Sequence, residues 1–230
     1  MTLYEALLEK YGYNEPILTS EIQFNNYSKP WIYKELNRLC EAEEIKRFEK
    51  GVYYIPKKSS LGMSLLNPGK VLEKKYIKNE ENVYGYYAGY YLLNLLGLST
   101  QVPNVIEVYS NKESSKVRDI KVGSQNVRVR KPRVDITKEN APVLAFLELM
   151  NVVDASFLGE DKKEIIEQYI ADYNISRKDI TKYSPSYPDK VVRNMIESEV
   201  IYYQYHWVLM KNKDIVKYFY ELYPLVCLDL

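Results

Sequence analysis

The residues best equipped for chemistry lie between Ser28 and Arg38, in the stretch SKPWIYKELNR. With Ile32, Leu36 and Leu39 as the inward stripe of a helix, 100° steps turn Trp31, Lys34, Asn37 and Arg38 outward, with Pro30 and Tyr33 beside them. Those groups suit a nucleic-acid groove. Arg and Lys reach phosphates or guanine edges, Asn pairs with adenine, and an exposed Trp packs on sugar or a thymine methyl. A second alternating stretch, IKRFEKGVYYIP, turns at Glu49-Lys50-Gly51 and adds Lys46, Arg47 and Lys50. The candidate DNA contacts are therefore Ser28, Lys29, Trp31, Tyr33, Lys34, Asn37, Arg38, Lys46, Arg47 and Lys50. Against them stand Glu35, Glu41, Glu43 and Glu44, which sit on or near the same helix and repel phosphate.

A second cationic group comes later. Between Lys116 and Arg133 there are seven basic residues and one acidic. In KVRDIKVGSQNVRVRKPRV, period two puts Ile120, Val122, Val127 and Val129 on one face of a hairpin and Lys121, Arg128 and Arg130 on the other. Arg118, Lys121, Arg128, Arg130, Lys131 and Arg133 form a candidate second basic surface. It could contact DNA, RNA or protein, or be a solvated sheet face whose charges guard an edge against aggregation.

Catalysis finds little support. The chain has one histidine, His206, inside an aromatic helical stripe, and no Cys/His pair or carboxylate cluster from which a metal site or nucleophile triad can be built. Gly123-Ser124 followed by Asp135 faintly suggests a nucleotidyltransferase opening. That chemistry holds two metals with two carboxylates on adjacent strand positions, and here the second position is Thr137. The expectation is a protein that is not an enzyme, with no cofactor and no metal.

The supporting scaffold must fit 230 residues, 46% hydrophobic, with 32 Lys+Arg against 31 Asp+Glu. That composition predicts a globular chain of one large domain or two small ones. No stretch approaches the roughly 20 apolar residues of a membrane span, and the N-terminal MTLYEALLEKY lacks the layout of a signal peptide. Cys40 and Cys227 form neither a disulfide framework nor a zinc spacing, so a cytoplasmic location is the default.

Along the chain, Leu3, Leu7 and Tyr11 predict a first helix ending near Gly12. Pro16 opens a second short helix through Ile22, FNNYS makes a turn, and Ser28 caps the third helix, KPWIYKELNRLCEAEE. Three helices and a hairpin predict a winged helix-turn-helix over 1–57. Residues 58–70 read as a connector, and 71–230 as a second domain. Its first part, 71–135, predicts a short helix at VLEKKYI, a buried helix at AGYYLLNLLGL, a strand at NVIEVYS and the basic hairpin. Its second part, 136–230, reads as mostly helical, with stripes at Val143, Leu144, Leu147 and Met150, at Ile165, Ile166, Tyr169 and Ile170, and at Val191, Val192, Met195 and Ile196. Ser176 with Asp179 reads as a capping box, and an aromatic-rich end runs from Val200 to Leu225. The predicted class is α+β, a winged helix followed by a mixed α/β and mostly helical C-terminal domain.

The motif GVYYIP (Gly51 to Pro56), followed by LLNLLGLSTQVP (Leu92 to Pro103) and then a strand, resembles the AbiEi-type antitoxins of bacterial type IV toxin–antitoxin systems linked to phage abortive infection. The likeness spans essentially the whole chain. It implies a winged helix that represses its own operon at inverted repeats in operator DNA. It further implies a C-terminal domain that counteracts a nucleotidyltransferase-like toxin without forming a tight complex with it. On that reading, Lys29 to Arg38 and Lys46 to Lys50 match the DNA-reading element. The alternative is a protein- or RNA-interaction module that neutralises a partner without binding a promoter.

Overall fold

The structure, a computed structural model, describes residues 2–23, 27–60, 62–155 and 158–200. The fold is α+β, with eight α-helices and nine strands among the described residues. It divides into two compact units, one of residues 1–75 with 121–125, the other of 76–120 with 126–230. Among the described residues no helix is long and apolar enough to cross a membrane.

In the first unit, α1 (Leu3–Tyr11) opens on a capping box. The Thr2 hydroxyl accepts from the Glu5 N–H and the Glu5 carboxylate accepts from the Thr2 N–H, so two of the helix's unpaired donors are satisfied at once. The predicted stripe holds at Leu3 and Leu7, both buried. The second helix expected from Pro16 is absent, and β1 (Ile17–Leu18) stands in its place. Ile17 pairs with Tyr53 and Leu18 with Val52, and both side chains are buried. Thr19 then donates to the Gly51 carbonyl from its backbone N–H at 2.9 Å and its hydroxyl at 3.3 Å. These long-range pairs outweigh a local helical preference that a proline and a β-branched residue had already weakened. Only a turn at Thr19–Glu21 remains, closed by the Glu21 N–H on the Leu18 carbonyl.

Next come α2 (Lys29–Glu41), β2 (Lys46–Glu49) and β3 (Val52–Tyr54). The three-stranded sheet has the order β1-β3-β2, entirely antiparallel, with an irregularity between Arg47 and Glu49 that bends β2. Gly51 supplies the turn at φ +80°, a conformation side-chain-bearing residues avoid. Leu3, Leu7, Ile17, Ile32, Leu36, Leu39, Ile45 and Ile55 share one core. Each such side chain, removed from water, stabilises the unit by about 1.5–3 kcal/mol.

Within the stretch expected to be a connector, β4 (Lys58–Ser59) and β5 (Gly62–Met63) form a two-stranded ribbon, and α3 (Pro68–Tyr76) begins. Lysines of α3 tie it to other residues of the first unit. Lys70 pairs with Glu15, Lys74 with Glu21 at 3.5 Å and Lys75 with Glu49 at 2.6 Å, while Lys74 also donates to the Pro16 carbonyl at 2.9 Å.

The second unit carries β6 (Gly85–Ala88), α4 (Gly89–Leu95), β7 (Val105–Ser110) and, apart from residues 121–125, β8 (Val117–Val122) and β9 (Gln125–Arg130), with sheet order β6-β7-β9-β8. β6 and β7 run antiparallel, β7 and β9 parallel. Ile106, Val108 and Ser110 of β7 alternate inward, as the expected strand requires. A Cβ at Gly85 would lie 1.9 Å from the Tyr76 carbonyl oxygen and 2.7 Å from that of Tyr109, so only glycine fits there. The helix expected at AGYYLLNLLGL is shorter and wetter than its composition predicts. Ala88 belongs to β6, and although Leu92 and Leu93 are buried, Tyr90 and Leu95 are 58% and 53% exposed.

Then follow α5 (Ala141–Val152), α6 (Glu160–Asp172), α7 (Arg177–Tyr183), a 3-10 turn (Ser184–Ser186) and α8 (Asp189–Glu197). α5 is buried on every side from Val143 to Met150 and forms the axis of this core. Its last carbonyls find a partner in the buried Asn194, whose amide donates to Met150 and Val153, each at 2.8 Å. The Ser176–Asp179 capping box forms as expected. The aromatic-rich end, with His206 and Cys227, lies outside the described residues.

Candidate nucleic-acid interface

α2 begins where the Ser28 hydroxyl accepts from the Trp31 N–H at 3.4 Å, with Pro30 tolerated in the first turn. Ile32, Leu36 and Leu39 are buried, and Ser28, Lys29, Trp31, Tyr33, Lys34, Asn37 and Arg38 are all exposed. The outward face is thus as its spacing predicts. Trp31 is not free to swing. Its ring stacks on Tyr27, centroids 4.2 Å apart and planes 11° from parallel. The stack leaves Trp31 39% exposed, a flat apolar surface at the start of the helix.

Arg38 donates from Nε and from a terminal nitrogen to one oxygen of Glu35, at 2.9 and 2.7 Å. The hydrogen bond from Arg38 holds the Glu35 carboxyl below its usual range. Lys34, one turn earlier, has no carboxylate partner among the described residues. On the hairpin, Arg47 is exposed and donates from Nε to the Glu49 carbonyl at 3.4 Å, Lys50 is exposed at the turn, and Lys46 is half-buried.

The second basic group behaves differently. Arg118 meets Glu113 at 2.7 Å, Arg128 meets Asp119 at 2.8 Å, Arg130 meets Glu107 at 3.0 Å and Arg133 meets Glu148 at 3.3 Å. Four of its six cations are thus matched by carboxylates, leaving Lys121 and Lys131 exposed without one among the described residues. The group presents far less net positive charge than its composition suggests.

The Arg133–Glu148 pair opens on a buried polar cluster that local patterning does not reveal. Glu148 sits on α5 and also accepts from the Asn151 amide at 3.3 Å. Around it stand Tyr86, Tyr109 and Tyr187. The rings of Tyr86 and Tyr109 stack at 5.4 Å, the Tyr86 and Tyr187 hydroxyls lie 3.5 Å apart, and the Tyr187 hydroxyl donates to the Leu144 carbonyl at 3.3 Å. Burial, aided by the Glu148 charge, pushes the Tyr109 phenol up to about 12 and raises those of Tyr86 and Tyr187 as well. Arg133 also lies over the Tyr187 ring, 5.3 Å from its centroid. The sequence signal that could have found this cluster was Glu148 itself, a charge in the middle of an otherwise apolar helix.

Among the described residues no group of three or more His, Cys, Asp or Glu could hold a metal ion. Asp135 is exposed, and its carbonyl accepts from the Asn140 amide at 2.9 Å.

The sequence matches DUF6088, a family of unknown function, over residues 17–171. The chain belongs to that family. No curated protein matches it. The part shared with DUF6088 starts at β1 and runs through α2, the hairpin and the whole four-stranded sheet into α6, so the exposed face of α2 falls inside the matched stretch together with Glu148, Arg133, Tyr86 and Tyr109, while Tyr187 lies beyond it.

Proposed function

We propose that this chain is a DNA-binding regulator whose first unit works as a winged helix, with α2 as the reading helix and the β2–β3 hairpin as the wing. The observation that carries the reading is α2 itself. It buries Ile32, Leu36 and Leu39 and exposes Trp31, Lys34, Asn37 and Arg38 on its outer surface, followed directly by a hairpin with Lys46, Arg47 and Lys50. The order helix, strand, helix, hairpin, with β1 paired beside β3, suits a unit that presents one helix to a major groove while the hairpin touches the flanking backbone.

The finer reading is repression of its own operon at inverted repeats and antagonism of a nucleotidyltransferase-like toxin. It rests on the resemblance of GVYYIP and LLNLLGLSTQVP to AbiEi-type antitoxins. The test is a mobility shift with the DNA upstream of its own gene at low salt. Wild type shifts the fragment, and Lys34→Ala with Arg38→Ala weakens the shift at least about tenfold, as expected for one phosphate and one base contact. A wild type that leaves the fragment unshifted and instead co-purifies with the product of a neighbouring gene would favour the interaction-module reading.

A further inference from the structure

We infer that Glu35 is a positioning residue that aims Arg38 at a guanine in the major groove, so that this carboxylate sets specificity instead of opposing binding. The inference rests on the DNA-binding reading of α2 and deepens it. A guanidinium has five N–H donors in a rigid fork. Two of them, on Nε and on one terminal nitrogen, are taken by a single oxygen of Glu35 at 2.9 and 2.7 Å. Of the three donors left, two lie on the outer edge, between the two terminal nitrogens. That edge is the one that matches the O6 and N7 acceptors of guanine in parallel.

The pair is built to present that edge. Arg38 remains 58% exposed while Glu35 is only 20% exposed, so the carboxylate lies against the helix and the arginine projects beyond it. An exposed ion pair three residues apart does little for the fold. Its effect is on the arginine's freedom. An untethered arginine folds back onto any phosphate within reach and binds all sequences alike, whereas a tethered one has already lost the rotamers that a base contact would remove. Lys34, on the same side one turn earlier and without a carboxylate partner among the described residues, is left for the phosphate contact. The division of labour is a free lysine for affinity and a held arginine for discrimination.

The experiment is selection of duplexes from a pool with a randomised 20-base-pair core, using full-length wild type, Glu35→Ala, Glu35→Gln and Arg38→Lys. Titration of the winning duplex and of a scrambled one follows. Wild type should enrich a motif with one invariant G·C pair that becomes degenerate with Glu35→Ala and with Arg38→Lys, the rest of the motif persisting. Affinity for the winning duplex should fall roughly 5- to 100-fold in both, while affinity for the scrambled duplex stays level or rises with Glu35→Ala. Glu35→Gln, which keeps an accepting oxygen, should retain part of the preference. An unchanged motif with Glu35→Ala, or a guanine retained by Arg38→Lys, overturns this inference and leaves the DNA reading standing. A wild type that enriches no motif overturns both.

Discussion

Arg133 reaches Glu148 across fifteen residues of chain, and the two differ sharply in their surroundings, with 37% of the arginine side chain exposed but only 3% of the carboxylate. The arginine spans the distance between water and a charge that the core has enclosed. Removing it leaves that charge with the Asn151 amide and the Tyr109 phenol as its donors among the described residues. Arg133→Ala should therefore destabilise the protein by about 2–4 kcal/mol, less than a fully buried pair would lose, because water can follow the vacated path. Urea unfolding of Arg133→Ala and Arg133→Lys checks this. A loss under about 0.5 kcal/mol for the alanine variant would show that Glu148 does not need its partner.

The tyrosines around Glu148 predict an alkaline limit to stability. In the unfolded chain a tyrosine loses its proton near pH 10, whereas burial holds the Tyr109 proton in the folded chain up to about 12 and raises Tyr86 and Tyr187 too. Between those values the unfolded state binds fewer protons than the folded one, so unfolding gains ground as pH rises. The Tyr109 contribution is intact below pH 10 and is lost progressively toward pH 12. Urea midpoints measured from pH 8.5 to 11.5 should fall with pH, and Tyr109→Phe should make the fall shallower. Parallel curves for the two proteins would remove Tyr109 from the account.

The two groups of cations should separate by salt dependence. If the β2–β3 hairpin touches the backbone of DNA, replacing Arg47 and Lys50 by Ala removes two phosphate contacts, and the slope of log affinity against log salt should flatten by about 2. Arg128 and Arg130 are already engaged by Asp119 and Glu107, so replacing those two should leave the slope unchanged while lowering the melting temperature. The reverse pattern would move the nucleic-acid contact from the wing to the later hairpin.

What the sequence made legible was whatever depends on neighbours in the chain. Ser28 before Pro30, the Ile32, Leu36 and Leu39 stripe, Gly51 between two alternating runs, and Ser176 with Asp179 each specify local structure, and each forms. What it hid depends on distant partners. Ile17 and Leu18 are strand because of Val52 and Tyr53, thirty-odd residues on. In sequence, the seven cations between Lys116 and Arg133 look like surface charge. The parallel register that sets Glu107 opposite Arg128 and next to Arg130 cannot be seen until β7 and β9 are paired. For the candidate site, the exposed face of α2 was legible residue by residue, whereas the Glu35 clasp and the Tyr27 stack were not, because rotamer choices leave no periodic trace.

The order β6-β7-β9-β8 also constrains how the chain can assemble. β9 lies between β7 and β8, although β8 comes first in sequence. β7 therefore has no partner on that side until the chain has passed outward along β8, turned at Gly123-Ser124 and returned. The turn closes locally, and hairpins form in microseconds, whereas a parallel pairing must wait for a longer loop to close. The expected sequence of events is a β8–β9 hairpin that forms early and then docks as one piece, the docking being the slow step. Substitutions at the turn should then slow folding in proportion to the stability they remove, and those along the β7–β9 seam should mainly speed unfolding. In that view the two glycine-serine residues at the tip govern when the sheet is completed, long before any charge on it meets a partner.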